Sequence, residues 1–167
     1  MAMTPNGMAN AIIGSVSGST DASDANSKFY KALCDYVEGN AQVFYAWAGV
    51  NPSSGSPDPQ VIIKATIKTA GSLSPNGATT PAAAMSLFSA DLNRNAALWQ
   101  IVWPAGFSLS PAFVIPTINI TPSMATEQQS AMVAVCTQII AGLKLATPAA
   151  GGTHAAYVGS ATFTQLI

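Results

Sequence analysis

The sequence predicts an α+β fold: a mainly antiparallel sheet with about three helices packed on one face, in the order β-α-β-β-α-β-β-α-β. Three observations point there. Within Thr121–Leu145, the residues Met132, Val135, Cys136, Ile139 and Leu143 recur at intervals of three and four, which is one apolar stripe on a helix. Gln60–Thr69, QVIIKATIKT, alternates with a period of two, placing Val61, Ile63, Ala65 and Ile67 on one face of a half-buried strand. Helical segments also alternate with pairs of strands, the pattern of helices segregated to one side of an antiparallel sheet.

In chain order, residues 1–8 read as a flexible N-terminal arm, because Pro5, Asn6 and Gly7 are breakers, and residues 9–167 read as a single domain. Ala9–Val16 is expected as a short strand with Ile12, Ile13 and Val16 as its apolar members. After a Ser/Gly/Asp loop, a helix is expected over Asp24–Glu38, with Gly39 as its C′ residue. Its apolar stripe is Phe29, Leu33, Tyr36 and Val37, and Asp24–Lys28 and Lys31–Asp35 are i,i+4 ion pairs on its exposed face. Gln42–Ala48 reads as an aromatic strand. Asn51–Pro59 holds three prolines and reads as a protruding loop between two antiparallel strands.

A polar loop over 71–80 follows the second strand of that pair. Thr80-Pro81 is a cap followed by proline at the first helical position, so a helix is expected over Ala82–Leu92, burying Met85, Phe88 and Leu92. Ala97–Trp103 is expected as a strand with Trp99, Ile101 and Trp103 on one side. Ala112–Ile120 reads as another, kept to an edge or bulge by Pro116. Thr126 and Gln129 have the spacing of a capping box for the Thr121–Leu145 helix. Ala155–Leu166 is expected as the last strand, after a Pro/Gly loop over 147–153.

Composition narrows the function classes. Only 8 % of the 167 residues are charged, against roughly 25 % in an ordinary domain. The six cations are scattered and the formal net charge is −1, so the basic footprint that a nucleic-acid partner needs is missing. The apolar fraction is 49 %, but the longest apolar segment is amphipathic, and no membrane partner is expected. The N-terminus has neither a basic region nor an apolar run of signal-peptide length, which points to cytoplasmic synthesis. Cys34 and Cys136 fall on helical stripes and read as buried free thiols.

No catalytic set assembles in the sequence. His154 is the one histidine, in a Gly/Thr loop without a neighbouring acid or nucleophile, and the carboxylates cluster around a helix where lysines explain them. One His and two distant Cys do not make a zinc site, and no cofactor is expected. Gly14-Ser15-Val16-Ser17-Gly18 lacks both a nucleophile-elbow pattern and a phosphate-binding lysine. The residues that remain are Tyr45, Trp47, Trp99 and Trp103, aromatics on strands that make a candidate interface or ligand platform. The expectation is a non-enzymatic subunit that associates with its own copies or with other particle subunits, concretely a capsid, decoration or tail component of a phage-like virion. The alternative is a carbohydrate- or small-ligand-binding module that uses the same aromatics.

Overall fold

The computed structural model describes residues 2–50, 61–74, 77–104, 107–108, 117–146, 153–154 and 158–167, giving the backbone course alone at 47–50, 61–63, 107–108, 153–154 and 158–163. The elements are α1 Pro5–Val16, α2 Ala22–Asn40, β1 Val43–Val50, β2 Val61–Lys68, α3 Pro81–Ala96, β3 Gln100–Val102, β4 Phe107–Ser108, α4 Gln128–Lys144, β5 Thr153–His154 and β6 Val158–Leu166. The class is α+β. The main sheet is antiparallel with strand order β3-β2-β1-β6, and β4 pairs with β5 in a second, two-stranded sheet.

The first element differs from the sequence reading. Ala9–Val16 is not a strand but the body of helix α1, and residues 3–8 are packed instead of forming a loose arm. Thr4 is the N-cap, its hydroxyl accepting from the Gly7 N–H at 3.2 Å, and Pro5 supplies the fixed φ of the first helical position. Met8, Ala9 and Ile12 then fall on one buried stripe, with Met3 buried beside them. Gly7 is required by contact: a Cβ there would lie 2.6 Å from the Tyr36 hydroxyl, which itself accepts from the Thr4 N–H at 2.9 Å. α1 packs against both α2 and α4, so tertiary burial outweighs the β-branched propensity of Ile12, Ile13 and Val16.

Helix α2 begins earlier and ends later than its apolar stripe suggested. Asp21 caps it by accepting from Asp24 N at 2.8 Å, and the helix runs through Gly39 to a C-cap at Ala41. Leu33 and Val37 are fully buried, while Phe29 and Tyr36 are half-buried. Both ion pairs form, Asp24–Lys28 at 2.7 Å and Lys31–Asp35.

β1 and β2 pair antiparallel as expected, in a register that sets Val43 opposite Ala65 and Tyr45 opposite Ile63. Val43, Tyr45, Ala65, Ile67, Ile101 and Leu166 bury one face of the sheet, and Lys64, Thr66, Lys68, Gln100, Val102 and Gln165 lie exposed on the other. Pairing of β1 with β6 shifts register between Phe44 and Tyr45, and Thr164 there donates its hydroxyl to the Phe44 carbonyl at 2.9 Å. The Gln42 and Ile167 backbones exchange two hydrogen bonds, which anchor the C-terminal residue. The protruding loop expected at 51–59 lies outside the described residues.

α3 starts as the Thr80-Pro81 signal indicates, Thr80 accepting from Ala83 N at 3.2 Å, and buries Phe88 and Leu92. β3 is shorter than expected, only Gln100–Val102, because Ala97 and Leu98 turn. In Ala112–Ile120, residues 112–116 lie outside the described residues, and 117–120 run extended without joining a strand ladder.

α4 is the expected long helix, with Cys136, Ile139 and Leu143 fully buried. Its capping box does not form. Glu127 takes the N-cap position without a side-chain bond, and Gln129 Nε2 donates to Asn10 Oδ1 at 2.9 Å, tying α4 to α1. Both cysteines are free and buried.

Candidate functional site

The four aromatics singled out from the sequence do not share one surface. Tyr45 is fully buried and Trp99 is 2 % exposed, so both belong to the core. Trp103 is half-buried, and its ring packs on Tyr45 with centroids 4.3 Å apart. Trp47 is placed by backbone register between Val61 and Ala161, and its side chain lies outside the described residues. His154, read as a loop residue, sits in β5 with its backbone paired to Phe107.

Trp99 does organise a site from beneath. Its indole N–H donates to the Ala70 carbonyl at 3.2 Å and to the Tyr30 hydroxyl at 3.3 Å, and that hydroxyl donates in turn to Ala70 O at 2.8 Å. Burial pushes the Tyr30 phenol well above its ordinary value, so it remains a donor. Tyr30 and Ala70, joined by these bonds, line a cleft of about 380 Å³ between α2 and the 69–73 loop. The loop belongs to no regular element, yet it is fixed along its length. Thr69 donates through its N–H and its hydroxyl to Glu38 Oε1 at 2.8 and 2.5 Å, Asn95 Nδ2 donates to Ser72 O at 2.7 Å, and Ser74 N–H donates to Asp91 at 2.7 Å. Gly71 has φ +99°, and a Cβ there would run into Asn95.

On the helical wall, Ser23, Asn26, Ser27, Tyr30, Lys31 and Cys34 line the cleft. Their spacings of three and four place them on one side of α2. That stripe was legible in the sequence, but an apolar-only search passes over it. Burial pushes the Cys34 thiol up, which favours its neutral form. Lys31 is the one charged lining residue, and Asp35 holds its ammonium above the usual range. Beside the Lys31–Asp35 pair, the cleft presents neutral hydroxyls and an amide.

The second candidate surface is the sheet edge. β6 spans nine residues, Val158–Leu166, and contains neither proline nor charge. It pairs with β1 along its length, and among the described residues no strand pairs with its other edge. The opposite edge strand, β3, is three residues long and is followed two residues later by Pro104.

No protein-family model, curated protein or solved structure matches this chain. Among the described residues, no helix is long and apolar enough to cross a membrane, and no group of three or more His, Cys, Asp or Glu side chains is placed to hold a metal ion.

Proposed function

We propose that the chain is a structural subunit that associates with copies of itself through the β6 edge of its main sheet. The observation that carries the reading is the contrast between edges. Sheets normally guard a free edge with short strands, lysines or prolines. β3 is short with Lys68 opposite Gln100, whereas β6 is nine residues long and uncharged. An antiparallel match of β6 with its own copy across a dyad would make a continuous sheet from a self-complementary contact. A chain with 8 % charged residues offers little repulsion against that approach. In its concrete form the subunit is a capsid, decoration or tail component of a phage-like particle.

The test is light scattering coupled to size exclusion, on the full chain and on a Thr162→Lys/Gln165→Lys variant. The expected result is an oligomer for the parent chain and a monomer with unchanged circular dichroism for the variant. Val102→Lys, on the β3 edge, is expected to leave the oligomer intact. A parent chain that stays monomeric at high concentration removes the reading.

A further inference from the structure

The cleft between α2 and the 69–73 loop has a neighbour. A smaller hollow of about 140 Å³ adjoins it, with Asn26 and Leu73 lining both. Phe29, Met85, Phe88 and Met132 are among its walls, and among the described residues no charged side chain lines it. Its volume is close to that of a cavity that holds a benzene ring, ~150 Å³. Thioethers such as Met85 and Met132 adapt to an apolar guest at little cost. The larger cleft has the opposite character. Among the described residues, the side chains of Ser23, Asn26, Ser27 and Ser72 make no hydrogen bond within the chain, and all four face the same space.

Two physical points say what such a space accepts. Its donors and acceptors are neutral, and Lys31 is already matched by Asp35, so a phosphate or carboxylate would find no uncommitted cation. Its wall is also pre-formed: the 69–74 loop is held by Glu38, Tyr30, Trp99, Asn95 and Asp91 before any ligand arrives. Ordering a loop is a main cost of binding, and here that cost falls on folding instead. A cleft of about 380 Å³ is within the range of small-molecule sites.

We propose that the cleft binds a saccharide ring bearing an apolar substituent: the ring hydroxyls bond to Ser23, Asn26, Ser27 and Ser72, and the substituent occupies the hollow between Phe29, Met85 and Met132. This site is separate from the β6 edge and does not depend on self-association. The test is an NMR titration of the full chain with the phenyl and methyl glycosides of glucose, galactose and mannose. Saturable shifts are expected at the backbone amides of 23–34 and 69–73, and the phenyl form of the bound sugar should bind roughly tenfold more tightly than its methyl form. Asn26→Ala and Ser72→Ala change half-exposed and exposed positions, so the fold should persist by circular dichroism while affinity falls by about tenfold. The Trp99 indole N–H, bonded to the cleft-lining Tyr30 and Ala70, gives a second NMR readout. Three results overturn the proposal: no saturable shift with any of these glycosides, shifts centred on another surface, or equal affinity for phenyl and methyl forms.

Discussion

Residues 64–68 and residues 117–121 look alike in sequence, KATIK and TINIT, and both bury every second side chain: Ala65 and Ile67 in one, Ile118 and Ile120 in the other. Their backbones are satisfied by different partners. The first lies in a ladder, with β1 on one side and β3 on the other. The second is gripped by side chains of two helices. Asn93 Oδ1 accepts from Ile118 N–H and Asn93 Nδ2 donates to Ile118 O, both at 2.9 Å. Ser89, one turn earlier on α3, accepts from Ile120 N–H at 2.9 Å. Gln138 on α4 does the same for Thr121, accepting from its N–H at 2.8 Å and donating to its carbonyl at 3.1 Å. A carboxamide offers one donor and one acceptor side by side, so Asn93 and Gln138 each imitate one residue of a strand edge. Alternation thus reports a half-buried extended backbone and is silent about what pairs with it.

The largest expected effect tests both regions at once. Burial pushes the Cys136 thiol, on the helix behind 117–121, from 9.0 to about 12, and the Tyr45 hydroxyl, under the ladder, from 10.0 to about 12. In the unfolded chain these groups release their protons at ordinary values. The stability they contribute is therefore complete below about pH 9 and is lost as pH rises through the folded values. Urea midpoints should hold steady through neutral pH and fall progressively between about pH 9 and pH 12. A midpoint that stays level across that window contradicts the burial of these groups.

The next experiment separates the two modes of support. Ile67→Ala removes core volume beneath the ladder and should cost about 2–5 kcal/mol as a global loss. Asn93→Ala should cost about 1–3 kcal/mol, because the Ile118 N–H and C=O lose their partner where water has poor access. Its effect should be local. Hydrogen exchange at Ile118 and Ile120 should accelerate while amides of β2 keep their protection. Uniform acceleration across the sheet would instead make the extended segment part of the ladder's cooperative unit.

The same contrast explains what was legible in the sequence. Elements defined by their own periodicity, α2, α3, α4 and the β1–β2 hairpin, were legible because the apolar stripe and the burial share a cause. Thr4-Pro5 carries the same start signal as Thr80-Pro81, yet the nearby Asn6-Gly7 and the β-branched Ile12 and Ile13 masked it; only packing of α1 on α2 and α4 decides for helix. The Thr126/Gln129 box does not form because the helix starts one residue later, with Glu127 as N-cap, which takes Gln129 out of the N3 position; its amide donates to Asn10 instead. The cleft was half legible. Its α2 wall is a polar stripe at helical spacing, whereas the 69–73 wall depends on Trp99 and Asn95, which no local pattern joins to Ala70 and Ser72. Which strand becomes an edge is set by the whole sheet order: the short β3 and Pro104 mark one edge locally, whereas nothing local marks β6.

Gln138 should show the smallest effect, and it tests why the grip on 117–121 matters. Its two bonds to the Thr121 backbone copy the geometry of the Asn93 pair, and the Thr121 hydroxyl adds a third at 3.1 Å, but Thr121 is exposed while Ile118 is 3 % exposed. In Gln138→Met the side-chain volume is kept and all three bonds to Thr121 are lost, and water can then take the Thr121 N–H, hydroxyl and carbonyl. The net worth of a hydrogen bond that water can replace is small, so a loss of about 0.5–1 kcal/mol is expected. Denaturation of Gln138→Met beside Asn93→Ala therefore compares one clamp chemistry at two depths. Equal costs would mean that geometry alone sets the value of the clamp; a smaller cost at 138 assigns the difference to solvent access.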